Sequence, residues 1–133
     1  MQFEGMNYTA VLVAAVAGFA MGFVWYSTFG NIWMHALGKT KEDLKPRPQP
    51  FIISIIALLV MAYILAGLIG HMGELTLMRG MISAAFIWVG FVITTTAVSY
   101  AFQGARWSLV LIDAGHWLLV LLVMGVIIGW MGV

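Results

Sequence analysis

Asp113 and His116, near the end of the chain, have the side chains best suited to acid–base chemistry. They lie at the start of a long apolar stretch. An ionisable residue inside a membrane span costs on the order of 2.5–3.5 kcal/mol on insertion scales and by default indicates a functional site. Their i, i+3 spacing places both on one face of a helix. Such pairs carry protons in pumps and carriers, so we interpret Asp113 and His116 as a candidate proton, ion or substrate site.

Two other interpretations of Asp113 remain open. In the first, its carboxylate bonds a neighbouring helix and acts only as a structural contact. In the second, Asp113 is the N-cap of a helix over residues 114–133, which is just long enough to cross a membrane. Residues 107–112 would then be an interfacial segment, and the cost of a buried charge would largely disappear.

Polar residues in the preceding apolar stretch follow a helical spacing. The stripe consists of Thr95, Thr96, Ser99, Tyr100 and Gln103. Thr96, Ser99 and Tyr100 fall at the same estimated depth as Asp113, so we predict that they face Asp113 and His116 and line a path with them. The alternative is that the hydroxyls bond carbonyls of their own helix.

The remaining ionisable residues do not form a recognisable site. His35 and His71 lie far apart without a metal-ligand spacing, so we predict no metal and no cofactor. Glu4, Glu74 and Arg79 join His71 at one end of the spans, where solvated loop charges explain them. The sequence contains neither a nucleophile–base pair nor paired catalytic carboxylates, which predicts that the protein is not an enzyme.

The composition is that of a membrane protein. Of 133 residues only 11 are charged, or 8%, against roughly 25% in soluble domains. Hydrophobic residues make up 63% of the chain, and the mean hydropathy is +1.04. These values exclude an ordinary soluble domain and a disordered chain, and a net charge of +1 gives no reason to expect a nucleic-acid partner. Without cysteine there is no disulfide framework.

Charged residues divide the chain into four apolar stretches. Residues 5–38, 48–73, 80–105 and 114–133 contain no Asp, Glu, Lys or Arg. A crossing needs about 20 residues, and a helix satisfies its own backbone in lipid. We therefore predict an all-α integral membrane protein with a single transmembrane domain over 1–133. Its four spans lie near 8–28, 51–71, 80–101 and 108–130, with an interfacial segment at 29–33 inside a cytoplasmic loop, 29–50.

Positive residues predict the orientation of these spans. The first and third loops hold five of the six: Lys39, Lys41, Lys45, Arg47 and Arg106. Both loops are therefore expected in the cytoplasm, at the inner membrane of a bacterium, with both termini outside. The first six residues have no positive n-region, and the apolar run after them is too long for a signal peptide.

The first loop is the only part that looks soluble. Residues 39–44 are predicted to form a helical turn capped by Thr40. Pro46, Pro48 and Pro50 follow, and they predict an extended approach to the second span. Its positive charges are expected to touch anionic lipid head groups.

The two halves of the chain share a pattern. Val-x-Tyr-x-x-x-Gly-x-x-Trp occurs at positions 24–33 and again at positions 98–107. The run Leu-Leu-Val-Met at 58–61 recurs at 121–124, in a register that pairs Asp113 with Pro50. The matches predict two tandem helical hairpins related by a pseudo-twofold axis along the membrane normal. Chance similarity between apolar segments is the alternative.

Small residues recur every fourth position in several spans. They are Ala10, Ala14, Gly18 and Gly22 in the first, Ala62, Ala66 and Gly70 in the second, and Gly125 and Gly129 in the fourth. Such stripes let helix backbones approach closely. Four short helices enclose little space, so we expect a homo-oligomer if a solute is to cross.

The aromatic residues near the ends of the odd-numbered spans are either interfacial belts or a ligand-binding box. With their neighbours they resemble a known family. The stretches Asn7-Tyr8-x-Ala10-Val11, Gly22-x-x-Trp25-Tyr26-Ser27, Phe29-Gly30, Trp33-Met34 and Gly38, with the later run at residues 111–116, are similar to the bacterial membrane family called domain of unknown function 1761. The positions matching its signatures are Asn7, Trp25, Tyr26, Phe29, Gly30, Trp33 and Asp113. The resemblance implies a small inner-membrane protein of four helices and supplies no activity.

Two functions from different classes fit these features. The first is a proton- or ion-linked transporter or channel for a small solute, acting as an oligomer, with Asp113 and His116 titrating. The second is a membrane module that binds lipid or a protein partner and transports nothing.

Overall fold

Within residues 3–132, which the computed structural model describes, every regular element is a helix. The four long helices are α1 (Tyr8–Leu37), α2 (Pro48–His71), α3 (Leu77–Phe102) and α4 (Trp107–Met131), each long and apolar enough to cross a membrane. The predicted all-α architecture with four transmembrane helices is therefore confirmed.

The first helix is longer than the predicted span of 8–28. Asn7 caps its start, where the side-chain oxygen accepts a hydrogen bond from the Ala10 amide at 3.1 Å. The predicted interfacial segment at 29–33 is helical, because α1 continues through it without proline and ends at Gly38. There a left-handed φ of 76° lets the amides of Gly38 and Lys39 close a Schellman motif on His35 and Met34.

The second helix also starts earlier than predicted. It begins at Pro48 after an extended Arg47, so Pro48 and Pro50 lie inside its first turn rather than in an extended approach. Proline is accommodated there because the first amides of a helix have no partner to lose. In the loop before it, Thr40 and Asp43 close the predicted turn. An N-cap side chain accepts a hydrogen bond, whereas here the Thr40 amide and hydroxyl both donate to the Asp43 carboxylate.

The third helix contains a π turn. Two α-helical halves, Leu77–Ile87 and Ile93–Phe102, flank a five-residue π-helical segment, Trp88–Val92. There the Ile93 amide bonds the Trp88 carbonyl, one residue further back than in an α-helix. A π turn inserts one extra residue into the helix and so shifts the faces of the two halves relative to each other.

The fourth helix lies at the centre of the bundle. It packs along both α1 and α3, while α2 packs mainly on α1. Its buried residues include Ala114, Val120, Met124 and Ile128. Most large apolar side chains elsewhere on α1, α2 and α3 point outward, as expected for helices surrounded by lipid.

The small-residue stripes pack helices against each other inside one chain. Gly80 and Gly125 bring α3 and α4 into backbone contact, and Gly129 lies against the backbone at Thr76. Ala14 and Gly18 lie where α1 meets α2 and α4. Close approach of this kind gives the dispersion contacts that hold membrane helices together.

Candidate functional site

Asp113 lies inside α4, where two tyrosines from two other helices reach it. The Tyr26 hydroxyl of α1 donates a hydrogen bond to Oδ1 at 2.6 Å, and the Tyr100 hydroxyl of α3 donates one to Oδ2 at 2.6 Å. Bonds this short are typical of O–H donors to a charged carboxylate. The carboxylate thus joins three helices and has a hydrogen bond on each oxygen.

The N-cap interpretation of Asp113 is wrong. α4 begins at Trp107, after an extended Arg106, so residues 107–112 are its first turns rather than an interfacial segment. The chain reverses before that, at Gly104 with a φ of 70°. Nothing between Trp107 and Asp113 interrupts the helix, which places Asp113 within the apolar helix itself.

The two tyrosines occupy matching positions of the pattern that the two halves of the chain share. Each lies on an odd-numbered helix, and both reach the same carboxylate. At the position paired with Asp113 in the register of the Leu-Leu-Val-Met match the chain has Pro50. One acidic residue therefore serves both tyrosines, and the site is asymmetric even though its donors match.

His116 lies one turn further along α4 and is only 8% exposed. Its ring packs on Tyr26, with ring centroids 5.0 Å apart, and on Trp117 at 4.7 Å. The direct hydrogen bond to Asp113 that the i, i+3 spacing permits is not formed. Nδ1 is buried and has no hydrogen-bond partner among residues 3–132. In this part of the chain Tyr26 is the only side chain that bonds Asp113 and also packs on His116.

A cavity of about 390 Å³ lies beside His116, between α1, α2 and α4. Its wall is mostly aromatic and aliphatic, with a few polar groups. The larger side chains are Phe19, Phe23, Phe51, Leu58 and Trp117, and the polar ones are Tyr26, Ser27, Ser54 and His116. Gly18 and Gly22 open the α1 side of the wall. A cavity of this size and character is typical of small-molecule sites.

The residues around Asp113 on α4 each have a specific neighbour. The carbonyl of Ala114 accepts a hydrogen bond from the Trp88 indole at 2.7 Å. Gly115 leaves room for the Trp25 ring, which a Cβ there would approach to 3.2 Å. The run Asp-Ala-Gly-His at 113–116 therefore contacts all three surrounding features: the tyrosines, the π turn and the cavity.

Trp88 belongs to this site and was not predicted from the sequence. Its indole donates from the first residue of the π turn, so the turn and this bond lie together on the face of α3 that meets α4. π turns occur frequently at functional sites. The available signal was a tryptophan in the middle of a span, far from the interfacial depth where such rings usually lie.

The polar stripe of α3 reaches Asp113 only through Tyr100, as far as the described residues show. Thr96 and Ser99 make no hydrogen bond to Asp113 or His116, and Ser99 is exposed on the outer face. The Thr95 hydroxyl bonds the carbonyls of Phe91 and Val92 in its own helix. Successive residues of an α-helix lie about 100° apart, so with Tyr100 directed at Asp113 the adjacent Ser99 is exposed, and the prediction that it faces Asp113 is wrong. Thr96 lies one turn before Tyr100, and for it the prediction stays a prediction.

The remaining signature residues lie around Tyr26 or cap α1. The Trp33 ring packs edge-on against Tyr26, with centroids 5.4 Å apart, and Phe29 packs on Trp25 at 4.6 Å. Gly30 faces open space: apart from its own helical turn, no described atom lies within 4 Å of the position that a Cβ on Gly30 would take. These aromatic residues thus surround the Asp113 site from one side.

The opposite end of the bundle has a second cavity, of about 350 Å³, lined in part by Glu4 and Glu74. Arg79 donates a hydrogen bond to the Glu74 carbonyl at 2.8 Å. Within residues 3–132 no group of three acidic, histidine or cysteine residues is placed to hold a metal ion.

The family model described as "Protein of unknown function (DUF1761)" matches residues 9–129 of the chain. The chain belongs to this family. The match includes Tyr26, Tyr100, Asp113 and His116, so the whole site lies inside the family region. No curated protein and no solved structure matches the chain. With its four apolar helices, this DUF1761 member is a multi-pass membrane protein.

Proposed function

We propose that the protein is a proton-linked transporter or channel for a small solute, with its site at Asp113, Tyr26, Tyr100 and His116. The observation that carries the proposal is the carboxylate held by two tyrosines from different helices, beside a histidine that lines a cavity. Both tyrosine partners of the carboxylate are neutral hydroxyls, and an intramembrane carboxyl in such surroundings is expensive and points to function.

Tyr26 supplies the link between proton and solute. As a carboxylate, Asp113 accepts one tyrosine hydrogen bond on each oxygen. Once Asp113 is protonated, one of these oxygens carries an O–H donor, so the tyrosine hydroxyl that donated to it has to rearrange. Tyr26 lines the cavity and packs on His116, so a rearrangement of its hydroxyl changes the cavity wall. Protonation of Asp113 and occupancy of the cavity are therefore coupled, as linkage requires.

The test is flux into proteoliposomes that contain a pH-sensitive dye and face an imposed pH gradient. The parent protein should show pH-driven proton or solute flux, and Asp113→Asn should lose it. Tyr8→Phe removes an exposed tyrosine hydroxyl far from the site and serves as the matched control, with flux unchanged. If parent and Asp113→Asn are equally silent across a broad solute panel, the transport function is wrong.

The second candidate is a module that binds a lipid or a partner and transports nothing. The mostly apolar wall of the cavity favours it, because such a wall suits an acyl chain as well as a solute. Saturable binding without flux would support this candidate.

We further propose that the protein works as a homo-oligomer. The half of α3 at Ile93–Phe102 has no buried residue in the single chain, which supports a contact with a second copy there. Val98 on this face and Val60 on α2 are equally exposed, at 57% and 56%. Crosslinking in native membranes should join Val98→Cys chains and leave Val60→Cys chains monomeric; monomer in both would refute the contact.

We propose the orientation in which the first loop is cytoplasmic, in the inner membrane of a bacterium. The positive residues of that loop support it. The chain has no cysteine, so single substitutions give clean labelling. A membrane-impermeant maleimide added to intact cells should label Glu74→Cys and not Glu42→Cys; the reverse pattern would overturn this orientation.

A further inference from the structure

The cavity beside His116 has a wall that selects against charge. Among the described residues, none of its lining side chains is Asp, Glu, Lys or Arg. An ion moved into such surroundings without a partner costs several kcal/mol. The wall therefore favours an uncharged molecule.

The size and the aromatic content of the cavity set the shape of that molecule. An engineered cavity of about 150 Å³ is enough to bind benzene. The 390 Å³ here has room for two fused rings. Phe19 and Phe51, with ring centroids 6.4 Å apart, and Trp117 offer faces and edges on which an aromatic or alicyclic body packs.

His116 is the buried polar side chain of the described wall that lacks a hydrogen bond; Ser27, which also lines the cavity, is exposed. His116 is more than nine-tenths buried, lines the cavity and makes no hydrogen bond to any described residue. Its Nε2 lies beside Gly22, which has no side chain to offer; a Cβ added there would be 3.0 Å from that nitrogen. Nδ1 of the same ring is fully buried without a partner, so Nε2 is the ring nitrogen left for a ligand hydroxyl, and one net hydrogen bond to it contributes about 0.5–1.5 kcal/mol. Ser54 does not compete for the ligand, since its hydroxyl already bonds the Pro50 carbonyl.

We propose that this cavity binds an uncharged, largely apolar molecule with a single hydroxyl that hydrogen-bonds the His116 imidazole. This inference rests on the proposed function in that it names the substrate class of the same site. The shared chemistry, an apolar body with a neutral hydroxyl, occurs both in free ring alcohols and in neutral single-chain lipids.

The test is equilibrium dialysis of radiolabelled 1-naphthol against the full chain in phosphatidylcholine nanodiscs, with empty nanodiscs subtracted. We expect saturable binding of one 1-naphthol per chain. Naphthalene, which lacks only the hydroxyl, should compete about three- to tenfold more weakly, the range that one net hydrogen bond gives. The anion 1-naphthoate should not compete. Linear uptake equal to that of empty nanodiscs, or equal competition by naphthalene, would overturn the proposal.

Variants assign the binding to this cavity. His116→Phe should abolish the preference for 1-naphthol over naphthalene, and His116→Gln, which keeps a hydrogen-bonding group, should restore part of it. Ser27→Phe should fill the cavity and block both ligands. Val60→Phe, at an exposed position of α2 that does not line the cavity, should leave binding unchanged. An unchanged preference in folded His116→Phe, or unchanged binding in Ser27→Phe, would refute the site.

Further arms separate the two sources and the two proposals. Displacement of 1-naphthol by monoolein supports the site and identifies a neutral lipid as the source; displacement by cyclic alcohols alone supports a free solute. Binding without pH-driven flux leaves this inference standing and refutes transport. Flux without saturable 1-naphthol binding refutes this inference and leaves transport standing.

Discussion

Removing one tyrosine hydroxyl from Asp113 should cost measurable stability, and the cost should depend on Asp113 itself. In Tyr100→Phe the carboxylate keeps the Tyr26 bond at 2.6 Å and loses the equally short bond on its other oxygen. A hydrogen bond to a charged group contributes about 1.5–3 kcal/mol. Tyr100 is partly exposed, so we expect the lower part of that range, or roughly a tenfold change in the unfolding equilibrium.

A double-mutant cycle isolates this bond from other effects of the substitution. In an Asp113→Leu background the Tyr100 hydroxyl has no acceptor, so Tyr100→Phe should cost nothing or slightly stabilise the protein. The assay is reversible unfolding by sodium dodecyl sulfate in mixed micelles, followed by fluorescence of the six tryptophans. Tyr8→Phe in both backgrounds is the control, with a coupling near zero.

Equal destabilisation by Tyr100→Phe in both backgrounds would contradict a stabilising bond to Asp113. The ring would then contribute through packing alone, and the Asp113 bond would add nothing. Tyr26→Phe should show a coupling at least as large, because Tyr26 has the same short bond. The double variant Tyr26→Phe/Tyr100→Phe should cost more than the sum of the two, since the carboxylate is then left without either tyrosine donor.

Two further predictions concern the packing and the first loop. Gly80→Ala should lower the free energy of unfolding by about 1–3 kcal/mol or more, because a Cβ at Gly80 would overlap the Gly125 carbonyl. The control Gly30→Ala places its Cβ in open space, so it should be neutral or raise the free energy of unfolding by up to about 1 kcal/mol. Equal effects of the two substitutions in the same unfolding assay would contradict the close contact between α3 and α4. In the loop, hydrogen bonds from the Thr40 amide and hydroxyl lower the pKa of Asp43. These bonds therefore stabilise the folded loop above the usual carboxyl pKa, and the stabilisation is lost as pH falls through the lowered pKa of Asp43. Thr40→Val should raise the Asp43 pKa part of the way back in an NMR titration of the carboxyl, and an unchanged pKa would show that the hydroxyl contributes nothing.

Local features of the sequence predicted much of the fold. Four charge-free stretches give four helices, because a backbone in lipid has to satisfy its own hydrogen bonds. Helix ends were less predictable: α1 continues to Leu37, and α2 starts at Pro48. Both ends depend on cap geometry at Gly38 and Arg47, which apolar composition does not encode.

The candidate site was half predictable from the sequence. Asp113 and His116 were identified because ionisable side chains in an apolar helix are rare and costly. Their partners were not, apart from Tyr100. Thr96 and Ser99 share the expected depth with Tyr100, yet only Tyr100 bonds Asp113, and the adjacent Ser99 is exposed because successive residues of an α-helix lie about 100° apart.

Composition and one-dimensional spacing are enough to predict that this chain crosses a membrane, how many helices do so, and which acidic residue lies among them. Which side chains surround that residue depends on how the helices pack. Tyr26 and Trp88 are distant from Asp113 in the chain and lie on other helices, and they come together only because small residues let α1 and α3 pack closely on α4. The hydrogen bonds on Asp113 and the cavity beside His116 are products of that packing.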